Sequence, residues 1–361
     1  MDRISLRVLN RTTLHRQSLL TRSTVSATEM IEHLVGMQAQ NPNDPYWALW
    51  SRVAGFVPAE LSEMISRRDA VRGQLMRATI HLATTPDFLT LRPQLQSVLA
   101  RTLGSTVFAR DTKEVDRGVL LTTARKLLEE RPMTRAELGR LLAGRWPGVP
   151  AASLAQVATY LLPIVQVPPR GLWQQSGPAA WSIMQQLAGT ELEPGKFAEK
   201  TVRRYLAAFG PASMSDLRVW SGMSGLRDLV ERMGRPKLRR LQDENGVELL
   251  DLPDLPILAE DTPSPPRFLP EYDNVLLGHA DRSRFFLEGV IPKGWAGNLL
   301  VDGMFSGAWK TRKTKAGTHL EINLLRPITR TERREVLEEA GRLLGFAFPD
   351  LGPEIVIHDR G

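Results

Sequence analysis

The sequence predicts an α+β fold, mainly α, made of three tandem winged-helix units followed by a β-rich C-terminal portion. Three observations predict it. A helix-start signature recurs three times, strand or hairpin patterns follow each recurrence, and a Pro-rich stretch precedes a run of strand-like segments. The signature is a Ser or Thr followed three residues later by an acid, then apolar residues. The hydroxyl caps a free backbone N–H and the acid reaches back.

The three starts are Ser26-Ala-Thr-Glu29, Thr134-Arg-Ala-Glu137 and Ser213-Met-Ser-Asp216. Pro132 and Pro211 each sit two residues before the capping hydroxyl of the second and third. A longer helical pattern precedes each start: Leu6 to Leu20, Val115 to Glu130, and Phe197 to Ala208. One capping box would mean little, but three in matching context suggest a repeated helix–turn–helix unit with unequal spacing. The expected units are 1–110, 111–192 and 193–260, with 261–361 as a β-rich region carrying a terminal helix.

Behind the first start, Gln74 to Ala83 alternates. Met76, Ala78, Ile80 and Leu82 form an apolar face, and Arg77, Thr79 and His81 point the other way. Behind the second lie a helix-length apolar stretch, Ser153 to Val165, and a hairpin candidate, Gly171 to Gly177. Behind the third, Leu238 to Leu250 places an Asn245-Gly246 turn between two strands. Helices followed by a short hairpin are the plan of a winged helix. Leu252 to Pro270 is Pro-rich, and strands are expected at Arg284–Val290, Asn298–Asp302, Gly307–Thr311 and His319–Leu325. A mixed-charge helix from Thr331 to Leu344 closes the reading and is expected to pack with one face solvated.

Composition narrows the function classes. The 361 residues suffice for two to four domains, and 42% hydrophobic with 24% charged residues is ordinary for a globular protein. The net charge of +7 favours a polyanionic partner, because each neutralised phosphate releases counterions. With no cysteine, disulfides, thiolate catalysis and cysteine-ligated metal are excluded. The six histidines show no metal-ligand spacing, and no phosphate-binding glycine loop appears, so no metal or cofactor is expected. No signal-like or membrane-length apolar run is present, and a soluble cytoplasmic protein is expected.

With these residues in view, the chain resembles the winged-helix family that contains the AlkZ-type interstrand-crosslink DNA glycosylases and their YcaQ-type relatives. The resemblance covers nearly the whole chain. It is carried by Gly36-Met-Gln-Ala-Gln-Asn-Pro42, Leu75-Met-Arg-Ala-Thr-Ile-His-Leu82, Leu269-Pro-Glu-Tyr-Asp-Asn-Val-Leu-Leu-Gly278 with Asp281-Arg-Ser-Arg284, and Val301 to Trp309. The AlkZ-like branch has Gln–apolar–Gln in the first motif and the YcaQ-like branch Gln–apolar–Asp. Gln38-Ala39-Gln40 is similar to the former. The resemblance implies three winged helices around a concave DNA-binding channel, a monofunctional glycosylase acting on N7-alkylated guanine in double-stranded DNA, and catalytic roles for Gln38 and Gln40. Bulky natural-product adducts, crosslinks and self-resistance to a genotoxin follow from the same resemblance.

Chemistry makes sense of that motif. The capped helix from Ala27 puts Met30, Ile31, Leu34 and Met37 on one apolar face and is expected to end near Gln38, because Pro42 disfavours helix at Asn41. In an extended segment the side chains of Gln38 and Gln40 project to one side and can hold one water between them. An N7-alkylguanine is positively charged and leaves as a neutral base, so positioning water and sugar is the main task. Expected DNA contacts are Arg77, Thr79 and His81, then Arg282 and Arg284, and a hairpin tip with Lys310, Arg312, Lys313 and Lys315. Glu271 and Asp273 lie two apart beside a Pro, and nothing else marks them as an acid–base pair. No lysine precedes Lys113, which favours base excision over Schiff-base strand cleavage. A tandem array already supplies several DNA-contacting elements, so a monomer is expected. The competing readings are a winged-helix transcription regulator and a non-catalytic protein that sequesters a DNA-damaging compound.

Overall fold

The computed structural model describes residues 2–189, 192, 198–288, 290, 297–314, 317–349 and 354–359. All three capping boxes are formed. Ser26, Thr134 and Ser213 accept from the amides of Glu29, Glu137 and Asp216, and each acid returns a bond to the cap's backbone. They open the helices Ala27–His33, Arg135–Ala143 and Met214–Ser221. A fourth box, Thr329 with Glu332, opens the terminal helix Arg330–Ala347. The preceding helices run Leu6–Arg16, Arg117–Glu130 and Glu199–Phe209.

The first six strands are β1 (Met37–Gln38), β2 (Ala70–Gln74), β3 (Ile80–Thr84), β4 (Met133–Thr134), β5 (Ile164–Gln166) and β6 (Ala180–Ile183). They form one sheet in the order β1-β3-β2-β5-β6-β4. Pairing of β2 with β5, Arg72 opposite Gln166, joins the first and second expected units, so the boundary at 110 divides a single sheet. A hairpin follows, β7 (Arg239–Gln242) with β8 (Glu248–Asp251), turning at Asn245-Gly246 as the sequence predicts. The C-terminal strands are β9 (Arg267–Pro270), β10 (Gly297–Val301), β11 (Met304–Thr314), β12 (Gly317–Leu324) and β13 (Glu354–His358). Their order is β13-β12-β11-β10-β9, with only the β12–β13 pair parallel.

A helix absent from the sequence expectations, Asp44–Arg52, locks these parts together. Its Trp47 ring lies 5.0 Å from Trp173 and 5.3 Å from Trp309, and its Trp50 stacks 5.7 Å from Phe346. Such aromatic contacts add to the burial that fixes this helix between the two sheets. Among the described residues no helix is long and apolar enough to cross a membrane.

Four local expectations change. Gln74 to Ala83 is not one strand: β2 and β3 pair antiparallel around a tight tip at Met76–Ala78. Arg77 and Ala78 take positive φ there (55° and 57°), a bend that alternation of apolar residues cannot reveal. Gly171 to Gly177 is turn and irregular chain rather than a hairpin. The described part of Arg284–Val290 is likewise turn, since its aromatic residues fill a core as single side chains: Phe285 is buried there and Phe286 packs against it. Finally, the helix from Ala27 stops at His33, because Val35 and Gly36 adopt positive φ (56° and 86°). Gln38 therefore lies on an edge strand, as its second residue, instead of ending a helix.

Candidate active site

Each side of the Gln38-Ala39-Gln40 segment is tied to a different element. Gly36 makes the turn into β1, where an added Cβ would meet the Leu82 carbonyl at 3.1 Å. Gln38 then pairs with His81 of β3, and the Ala39 amide donates to the Ile80 carbonyl at 2.8 Å. From the C-terminal region, Asn274 accepts the Gln38 amide at 3.1 Å and donates to the Gly36 carbonyl at 2.7 Å. From β2, Arg72 Nη2 donates to the Ala39 carbonyl at 2.8 Å.

The two glutamine side chains meet the same hairpin tip. Gln38, buried, accepts at Oε1 from Arg77 Nη2 at 2.7 Å. Gln40, exposed, accepts at Oε1 from the Ile80 amide at 3.4 Å, a long bond that is easily exchanged. Arg77 is itself held by the Trp220 carbonyl at 3.0 Å, at the end of the third capped helix. Burial lowers the Arg77 pKa to about 10, which leaves it charged at neutral pH. The Arg77 bond fixes which way the Gln38 amide points. Its NH2 donors and one further lone pair on Oε1 stay available for a water or a sugar oxygen.

Other expected contacts separate into two groups. Thr79 is half-buried and closes the tip, its hydroxyl donating to the Met76 carbonyl at 3.2 Å. His81 is buried on a central strand between β1 and β2, so it does not reach phosphate or sugar as expected. Arg284 is also buried. It donates to Thr13 Oγ1 and the Pro211 carbonyl and meets His279, so it braces the core rather than facing DNA. Arg282 is exposed. Lys310 and Arg312 both pair with Glu321 across β11 and β12, at 3.2 Å each, which partly neutralises that ribbon. The side chain of Lys313, and Lys315 altogether, lie outside the described residues.

Asp273 is no acid–base partner for Glu271. It forms a two-bond ion pair with Arg52 at 2.6 and 2.9 Å, both side chains fully buried, and caps the short helix Asn274–Leu277. Among the described residues no group of three or more His, Asp or Glu could hold a metal. Arg72, Asn274 and Asp44 are not among the sequence candidates. Asn274 lies inside the Leu269–Gly278 motif, which was the one cue to it; for Arg72, in the middle of a strand, there was none.

Asp44 follows Gln40 by four residues and is buried, with neither oxygen in a hydrogen bond of ordinary geometry. The Tyr272 amide is near enough to ease its charge, yet burial, then Glu271, pushes its pKa up to about 8. His81 is the reverse case: burial, then Arg77, lowers it to about 3. Native Asp44 keeps its proton up to about pH 8 while the unfolded chain loses it near 3.8, so its contribution to stability is lost as pH rises through that window. Native His81 stays neutral down to about 3 while the unfolded imidazole protonates below 6.5, so its contribution is lost as pH falls. Asp44→Asn is therefore expected to flatten the fall in melting temperature between pH 3.8 and about 8, leaving the dependence above about pH 8 as it was. Thermal melts across this range check it, and an unchanged slope within that window would contradict the assignment.

This geometry, two amides set against a hairpin tip that carries a half-buried arginine, sits in a chain whose relationships are clear. Residues 31–346 match the family described as DNA glycosylase AlkZ-like. The chain belongs to the AlkZ-like DNA glycosylase family, and base removal from DNA is the function that membership supports. Its fold is similar to that of the DNA glycosylase AlkZ of Streptomyces sahachiroi, at a TM-score of 0.71 and 20% identity, covering 99% of this chain and 100% of that one. No curated protein matches the sequence.

Proposed function

We propose that the protein is a monofunctional DNA glycosylase that hydrolyses the N-glycosidic bond of N7-alkylated guanine, with Gln38 and Gln40 positioning the water. The observation that carries this reading is the meeting of both glutamine amides with one hairpin tip, at Arg77 and at the Ile80 amide. Gln38 is pre-oriented, while the weak bond of Gln40 can be exchanged for a water. Two neutral amides suffice because the lesion's positive charge has already weakened the bond, and the remaining task is orientation. Arg282, Lys310, Arg312, Lys313 and Lys315 are proposed to contact phosphates, and the three capped helices to line a concave channel as winged helices. Bulky natural-product adducts and crosslinks fall within this substrate class, and the protein acts as a monomer.

The test compares duplexes carrying N7-methylguanine, a bulky N7-guanine adduct, or only normal bases, each treated with alkali after incubation. Strand scission at both lesions and none at normal guanine is expected. Scission at normal guanine equal to that at the lesions would overturn the role given to the lesion's charge.

A further inference from the structure

Arg72 carries a buried charge for which the reaction itself has no use. It sits on β2 between β3 and β5, opposite Leu82 on one side and Gln166 on the other, and is 2% exposed. Burying a guanidinium in a sheet is costly, and a well-packed apolar side chain would serve stability as well or better. Among the described residues its Nε and Nη1 find no hydrogen-bond partner. Among the described residues, its one hydrogen bond is from Nη2 to the Ala39 carbonyl, at 2.8 Å.

The surroundings press that bond home. Gly171, at φ +102°, lies over the Arg72 side chain so closely that a Cβ would stand 2.8 Å from Arg72 Cδ. Tyr46 holds this glycine by donating to its carbonyl at 2.8 Å. Asp44 and Tyr46 open the helix that follows the glutamine motif, and both act electrostatically on Arg72, as does the like charge of Arg170.

We propose that Arg72 is a positioning residue of the excision site, holding the carbonyl between Gln38 and Gln40 so that the two amides keep their spacing. The proposal rests on reading those glutamines as the excision site, but its test has an arm independent of activity. Arg92 serves as the control. It is equally buried, yet donates to the Tyr160 and Leu162 carbonyls, away from the motif.

The experiment compares wild type, Arg72→Met, Gly171→Ala and Arg92→Met, each at the same interval below its own melting temperature. Hydrogen exchange of the 36–41 segment and single-turnover excision of N7-methylguanine from a duplex are measured. Arg72→Met should speed exchange there about tenfold and slow excision about 100-fold, with DNA affinity nearly unchanged. Gly171→Ala should move both readings the same way, and it carries the test if Arg72→Met does not fold. Arg92→Met should lose stability alone. Unchanged exchange in both Arg72→Met and Gly171→Ala, or equal changes in Arg92→Met, overturns the proposal. If wild type excises nothing, the exchange arm still decides it, and the functional reading fails separately.

Discussion

Replacing Gln38 and Gln40 together with Ala is expected to slow single-turnover excision about 100-fold or more while DNA affinity stays nearly the same. The amides act by placing a water and the sugar, and small losses of geometry at that step are costly. Affinity is set mainly by phosphate contacts, and neither glutamine carries charge. The two single variants should differ. Gln38 is buried and bonded to Arg77, so Gln38→Ala also leaves a half-buried guanidinium short of a partner and should lower stability measurably. Gln40 is exposed and weakly bonded, so Gln40→Ala should leave the melting temperature almost untouched. Equal excision by the double variant and wild type would move the chemistry elsewhere.

Asp273→Ala is expected to cost about 3–5 kcal/mol of stability, the range found when one partner of a buried ion pair is removed. Its partner Arg52 is fully buried, and apart from Asp273 its guanidinium reaches, among the described residues, only the Ala48 carbonyl and Gln17. The same substitution removes the cap of the helix that begins at Asn274, which holds the Gln38 amide. Excision should therefore fall even well below the melting temperature. Replacing both partners, Arg52→Met with Asp273→Leu, should be less damaging than Asp273→Ala, since no uncompensated charge remains. Denaturant titration of the three proteins checks this, and a loss below about 1 kcal/mol in Asp273→Ala would contradict the assignment.

Local chemistry made much of the helical frame legible. Ser26, Thr134 and Ser213 announce their helices because a capping box is satisfied by residues three apart. Asn245-Gly246 announces a hairpin because few other pairs accept its turn. What escaped was decided over long range or by backbone geometry. Met76 to Ala78 reads as alternating strand until the positive φ of Arg77 and Ala78 folds it into a tip. His81 and Arg284 carry polar side chains that a sequence assigns to solvent, yet strand order buries one and packing against Thr13 and Pro211 buries the other. The glutamines were visible through the motif. Arg72 and Asn274, which hold them in place, come from more than 30 and more than 230 residues away.

The most direct test of the central claim is recovery of the base itself. A duplex with one bulky N7-guanine adduct is incubated with excess protein, and the released material is identified by mass. Free N7-alkylguanine, with an abasic site left in an otherwise unbroken strand, is the predicted result. Tight binding with the adduct recovered intact on the DNA would contradict it, and would leave a protein that holds damaged DNA without repairing it.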